Sequence, residues 1–143
     1  MAYPFGNKVY DKARNKFLRG DLSWKSGATG WRAYLVDLQG GTAYTPDFAN
    51  DEFLSAIPSA GLLSYIALAP ADPVAGVADA PDVTFLAVSG AVSEVIAIVH
   101  WNTSAADSEL VAYIDTATGL PVTPNSGDIN VAWDNGANKI FKL

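Results

Sequence analysis

The sequence predicts a mainly β domain, a β-sandwich or barrel-like fold of about seven strands with an N-terminal amphipathic helix. Three observations predict it. From Trp31 onward the apolar residues come in runs of strand length, such as Val95-Ile96-Ala97-Ile98-Val99. Clusters of Gly, Pro, Asn and Asp separate those runs at short intervals, as turns do. A helical repeat is confined to the segment between Asn7 and Gly20, where apolar residues recur at near 3.6 spacing. The chain has 143 residues, and a domain of about 150 residues buries roughly 68–70% of its unfolded surface. It can hold a core without disulfides or metals.

The helix comes first. Asn7 is a plausible N-cap, Val9, Tyr10, Ala13, Phe17 and Leu18 form the apolar stripe, and Gly20 is a natural stop. Residues 1–20 are therefore an arm and helix, and residues 21–143 a β-rich body, within one structural domain. Beyond Gly20 the period changes to two: Leu22 and Trp24 alternate with Asp21, Ser23 and Lys25. Trp31 to Asp37 reads as a strand. Asn50 to Ile57 reads as a short helix capped by Asn50 and stopped by Pro58. Leu62 to Leu68 reads as a strand, and the loop after it holds Pro70, Pro73, Gly76 and Pro81. Strand-like runs follow at 83–88, 94–101, 110–116 and 129–133. Asp134-Asn135-Gly136-Ala137 then predicts a hairpin into a last strand, Lys139 to Leu143.

Half the residues are hydrophobic and 17% are charged, which leaves apolar surface once the core is filled. An unusually full core and an oligomer or assembly contact account for that surplus equally well. Charge is polarised. Residues 1–25 carry six Lys or Arg against two acids, and residues 26–143 carry three against thirteen. Such a basic head is either a solvated helix face or a dock for an acidic partner. Nucleic acid is not an expected partner, because the acidic body repels phosphates. Met1–Gly6 has no leader pattern, and no apolar run approaches the roughly 20 residues that cross a bilayer. No membrane association is expected.

Reactive chemistry finds little footing. Without cysteine there is no thiol nucleophile and no thiolate zinc site. His100 is the single histidine; it sits on an apolar run with no G-x-S-x-G pattern nearby, so a structural role is expected. Asp128-Ile129-Asn130 opens like a calcium loop but lacks its continuation. Glu94 and Glu109 are expected as solvent-facing strand-end residues, not a glycosidase pair. Gly27-Ala28-Thr29-Gly30 lacks the lysine of a phosphate loop. No catalytic, cofactor or metal residue is assigned, and an enzyme is not expected. Trp24, Trp31, Trp101 and Trp133 are expected in the core or at an assembly contact; if Trp31 and Trp133 were exposed, they would suit a sugar platform.

Asp11–Trp24, Asp51–Ile57, Val83–Val88 with Gly90, and above all Ala112–Leu143 resemble a family of small virion structural proteins of tailed bacteriophages. The resemblance covers both ends of the chain and carries no functional residue. It implies a place in the virion, most simply on the capsid surface as a decoration or cement protein. Such a protein binds the major capsid protein and its own copies, as a homotrimer. A tail, neck or fibre component, or a carbohydrate-binding host-attachment module, is the alternative. The expected partner-binding residues are Tyr3, Phe5, Lys8, Lys12, Lys16 and Arg19 on the head, with Pro70 and Pro73 in the Pro-rich loop.

Overall fold

The strand Val95–His100 is buried along five of its six positions, and the rest of the molecule is arranged around it. The computed structural model describes residues 5–38, 44–134, 136 and 139–143. Among them the strands are β1 (Lys8–Val9), β2 (Trp31–Val36), β3 (Leu62–Ala67), β4 (Val77–Ala78), β5 (Val83–Phe85), β6 (Val95–His100), β7 (Glu109–Ile114), β8 (Ile129–Val131) and β9 (Phe141–Lys142). One helix, α1, spans Asp11–Arg19, and two 3₁₀ turns cover Leu54–Ala56 and Ser59–Gly61. The fold is mainly β and sandwich-like. An antiparallel five-stranded sheet runs β1-β7-β6-β2-β3, and the pairs β4–β9 and β5–β8 stand beside it.

The Val/Ile/Ala composition of β6 explains its central place: a strand covered on both faces needs apolar residues at every position, not alternate ones. β2 pairs with it in unbroken register from Trp31↔His100 to Val36↔Val95. Adjacent residues of a strand point to opposite faces. Trp31 thus meets Phe17, Trp24 and His100, with ring centroids 6.0, 4.8 and 5.0 Å away. Its neighbour Arg32 turns the other way, onto Tyr65 of β3.

Several sequence expectations are corrected. Asn7 does not cap the helix; its Oδ1 accepts the Asp115 N–H and the Thr116 hydroxyl at 3.1 and 3.0 Å. That leaves Lys8 and Val9 free to pair with Tyr113 and Ala112 of β7, so the helix starts only at Asp11. Gly20 does end it, in the left-handed region at φ 84°, with its N–H on the carbonyls of Lys16 and Phe17. Leu18 is not on the buried stripe. It follows Ala13 by five residues, about 140° round the helix, and is 85% exposed. Residues 21–24 form no strand, although Leu22 and Trp24 are buried.

The helix expected from Asn50 to Ile57 reduces to the 3₁₀ turn at Leu54–Ala56. Long-range bonds win there: Phe53 bridges Glu109, and the Leu54 and Ser55 N–H groups donate to Ser108 and Ala105. The C-terminal hairpin also does not form. β8 takes β5 as its partner and β9 takes β4, with the Ile140 N–H on the Ala78 carbonyl. Of that expected turn, Asn135 and Ala137 lie outside the described residues. Trp31 and Trp133 are buried, and each indole N–H is satisfied, by the carbonyls of Ser23 and Pro81 at 3.1 Å. Glu94 is likewise buried, its Oε1 accepting the Leu38 N–H at 2.6 Å.

Candidate functional site

The head residues expected to meet a partner are largely engaged within the fold. Tyr3 lies outside the described residues. Phe5 is half-buried, edge-on to Phe48 and Tyr113 at 5.7 and 5.6 Å. The arm is fixed at that point because Asp115 Oδ2 accepts the Phe5 and Gly6 N–H groups at 2.8 and 3.1 Å. Lys8 is exposed, with Nζ 6.0 Å from the centre of the Phe48 ring.

Lys12, Lys16 and Arg19 do come together. With Asn15 and Glu52 they line one polar hollow of about 180 Å³. Their charges are not equally available. Lys16 Nζ lies 2.9 Å from Glu52 Oε2 and 3.9 Å from Glu109 Oε1, and its side chain is 12% exposed. Nζ also sits 4.5 Å over the Phe53 ring. Arg19 is paired with Asp21 at 2.7 Å on the surface. Lys12 makes no ion pair among the described residues.

Glu109 continues this cluster to His100, whose Nδ1 lies 3.5 Å from Glu109 Oε2 while Nε2 faces the Thr29 carbonyl at 3.2 Å. A second polar cluster is interior: the Tyr44 hydroxyl bonds the Tyr10 hydroxyl at 2.8 Å and donates to Asp51 Oδ2 at 2.5 Å. Burial raises both phenol pKa values above the ordinary 10, and for Tyr44 the neighbouring Tyr10 and Asp51 push further in that direction. Both stay neutral and act as structural hydrogen-bonding groups.

The two prolines mark two different concavities. Pro73 is exposed and, with Phe17, Leu22, Ser23, Trp24, Ala78, Phe141 and Leu143, borders an apolar groove of about 280 Å³. Leu143 lines it at 55% exposure, and Leu18 and Val74, 85% and 76% exposed, are chain neighbours of Phe17 and Pro73.

Pro70 is buried, in the wall of a larger cleft of about 510 Å³ between residues 26–32, residues 67–70 and Trp101. Arg32 and Trp101, which line this cleft, and Tyr65, which stacks on Arg32, are not among the partner-binding residues expected from the sequence. One signal was available: Arg32 is the single Lys or Arg between residues 26 and 138. The register that lays Arg32 against Tyr65 is a tertiary fact with no local trace. No helix among the described residues is long and apolar enough to cross a membrane. Compared with known proteins, the chain matches no family model and no curated protein.

Proposed function

We propose that this chain is a virion structural protein of a tailed bacteriophage, a capsid decoration or cement protein. In this reading it binds the major capsid protein, stabilises the assembled head and associates with its own copies as a trimer. The observation that carries the proposal is the apolar groove beside α1 and the β4–β9 pair, lined by Phe17, Trp24 and Phe141 with Leu143 at 55% exposure on its wall. Large apolar side chains exposed together mark surfaces that are covered in an assembly. The sheet behind them is a firm support, since β6 and β7 are packed on both faces. The resemblance of Asp11–Trp24 and Ala112–Leu143 to phage virion proteins supplies the setting.

Cryo-electron microscopy of intact particles tests the proposal. Density for this chain over the head lattice is the expected result, with a copy number comparable to that of the major capsid protein on a stained gel. Density restricted to the tail, at a copy number set by tail symmetry, would refute it. In solution, Leu143→Asp should weaken self-association by about tenfold or more while leaving the fold intact, because the side chain it replaces lines the groove and is already 55% exposed.

A further inference from the structure

Arg32 carries a charge that the fold leaves uncommitted. Its guanidinium is clamped between two rings, with Cζ 4.3 Å from the centre of Tyr65 and 4.2 Å from that of Trp101. Nη1 donates to the Tyr34 hydroxyl at 3.1 Å. A guanidinium offers five N–H donors in a planar fork. Among the described residues that hydroxyl is the side-chain acceptor it meets, and no carboxylate lies within the 4.0 Å of an ion pair. The aromatic faces hold the plane of the fork without using its in-plane donors. The open side is the cleft of about 510 Å³ that Arg32 and Trp101 line together. Asp72, at the same rim, is held by the Ser26 N–H at 2.8 Å.

We infer that this cleft is a carboxylate-binding site, in which the Arg32 fork takes a Glu or Asp side chain presented by the protein partner. A planar, pre-oriented guanidinium matches a carboxylate through two parallel hydrogen bonds, a match that a lysine cannot make. One cation balances one carboxylate. A phosphate dianion would leave uncompensated charge against a chain whose formal net charge is -6. The cleft therefore selects an acidic side chain. The inference rests on the protein-binding reading above, and it names what that partner must offer.

Trp101 provides the readout, because Trp24, Trp31 and Trp133 are buried and it is the partly exposed indole. The purified full chain is titrated with an N-acetylated, C-amidated triglutamate peptide, with glutarate, with inorganic phosphate, and with sodium chloride at matched ionic strength. Tryptophan emission is followed throughout. The expected result is a saturable change with the peptide and with glutarate, absent with chloride. It should be lost in Arg32→Gln and weakened about tenfold in Arg32→Lys, which keeps the charge but not the fork. Either of two results overturns the site: Arg32→Lys binding as the wild type does, or phosphate binding more tightly than glutarate. Attachment to phage particles is scored on the same preparations. A wild type that attaches but ignores both carboxylate probes overturns this site alone. A chain that takes the peptide through Arg32 yet finds no particle component overturns the virion reading alone.

Discussion

Replacing Trp31 by Ala is the sharpest probe of how this fold is held together. Trp31 is 1% exposed, and its ring contacts Phe17, Trp24 and His100 at 4.8 to 6.0 Å between centroids. Truncating a core tryptophan costs about 3–5 kcal/mol, the transfer of the lost ring plus the cavity left behind. The Ser23 carbonyl also loses the indole N–H at 3.1 Å, which places the expected cost near the top of that range, about 4–5 kcal/mol. Domains of this size have about 5–15 kcal/mol in total, so the variant should sit at the edge of folding. In urea, with a slope of about 2 kcal/mol/M, the midpoint should fall by about 2 M. Trp101→Ala is the internal control. That side chain is partly exposed, packed against the edge of the core and over Arg32, so a smaller loss is expected, about 2 kcal/mol and about 1 M. Circular dichroism followed through the transition measures both. Equal midpoint losses for the two variants would show that Trp31 is not the keystone of the aromatic cluster.

Lys16→Glu should cost about 2 kcal/mol, since it sets a third carboxylate against Glu52 and Glu109 at a position where the side chain is 12% exposed. Lys12→Glu, with no ion pair to lose, should stay within about 0.5 kcal/mol; chemical denaturation separates the two. A test of whether the basic face docks on a shell should accordingly change Lys12 and Arg19 and spare Lys16. Gly20→Ala should cost about 1 kcal/mol, because φ 84° at the end of α1 is strained for any residue with a Cβ, and the thermal midpoint should fall by a few degrees. Stability should also decline in alkali. The unfolded chain releases the Tyr10 and Tyr44 protons near the ordinary 10.0 while the folded chain retains them, so the stability they contribute is complete below pH 10 and is lost as pH rises beyond it. Denaturation midpoints at about pH 9 and pH 11.5 should diverge more for the wild type than for Tyr10→Phe.

The long strands were legible in the sequence because their signal is their own composition. β2, β6 and β7 are runs of apolar and β-branched residues that are buried along most of their length, β3 is an apolar run left at the sheet edge, and each lies where its run does. Gly20 was legible for the same reason, since a left-handed helix stop is a local requirement. The failures occur where a local preference competes with a distant partner. Asn7 and Asn50 both suit a helix N-terminus. Yet Asn7 answers to residues 115 and 116, while Asn50 closes a turn on the Asp47 carboxylate, with its side-chain amide at 3.0 Å. The Asp-Asn-Gly signal near residue 135 describes a turn and says nothing about which strand comes next to which; β8 was already taken by β5. Glu94 was misjudged because a carboxylate in a strand looks solvated until the backbone N–H that meets it, here that of Leu38, is known. The binding residues divide along the same line. The basic face of α1 could be read from spacing, whereas the neutralisation of Lys16 by Glu52 and Glu109, and the clamp on Arg32, depend on pairings made only in the folded sheet.

The apolar groove and the Arg32 cleft both draw on β2, whose consecutive side chains point to opposite faces. Trp31 and Arg32 are consecutive, so they leave β2 on opposite faces. Through Trp31 that strand supports Phe17 and Trp24, which line the apolar groove; through Arg32 it supplies the cation of the carboxylate cleft. A ligand in one need not displace a ligand in the other. Under the decoration role proposed above, self-association and attachment to a shell would then use different surfaces. The surfaces also differ in chemistry. The groove is apolar and suits a permanent contact between identical chains, where large apolar areas are buried together. The cleft offers one clamped cation and suits recognition of a partner that brings an acid to a defined place. On these two proposals, β2 serves both surfaces, supporting the groove through Trp31 and charging the cleft through Arg32.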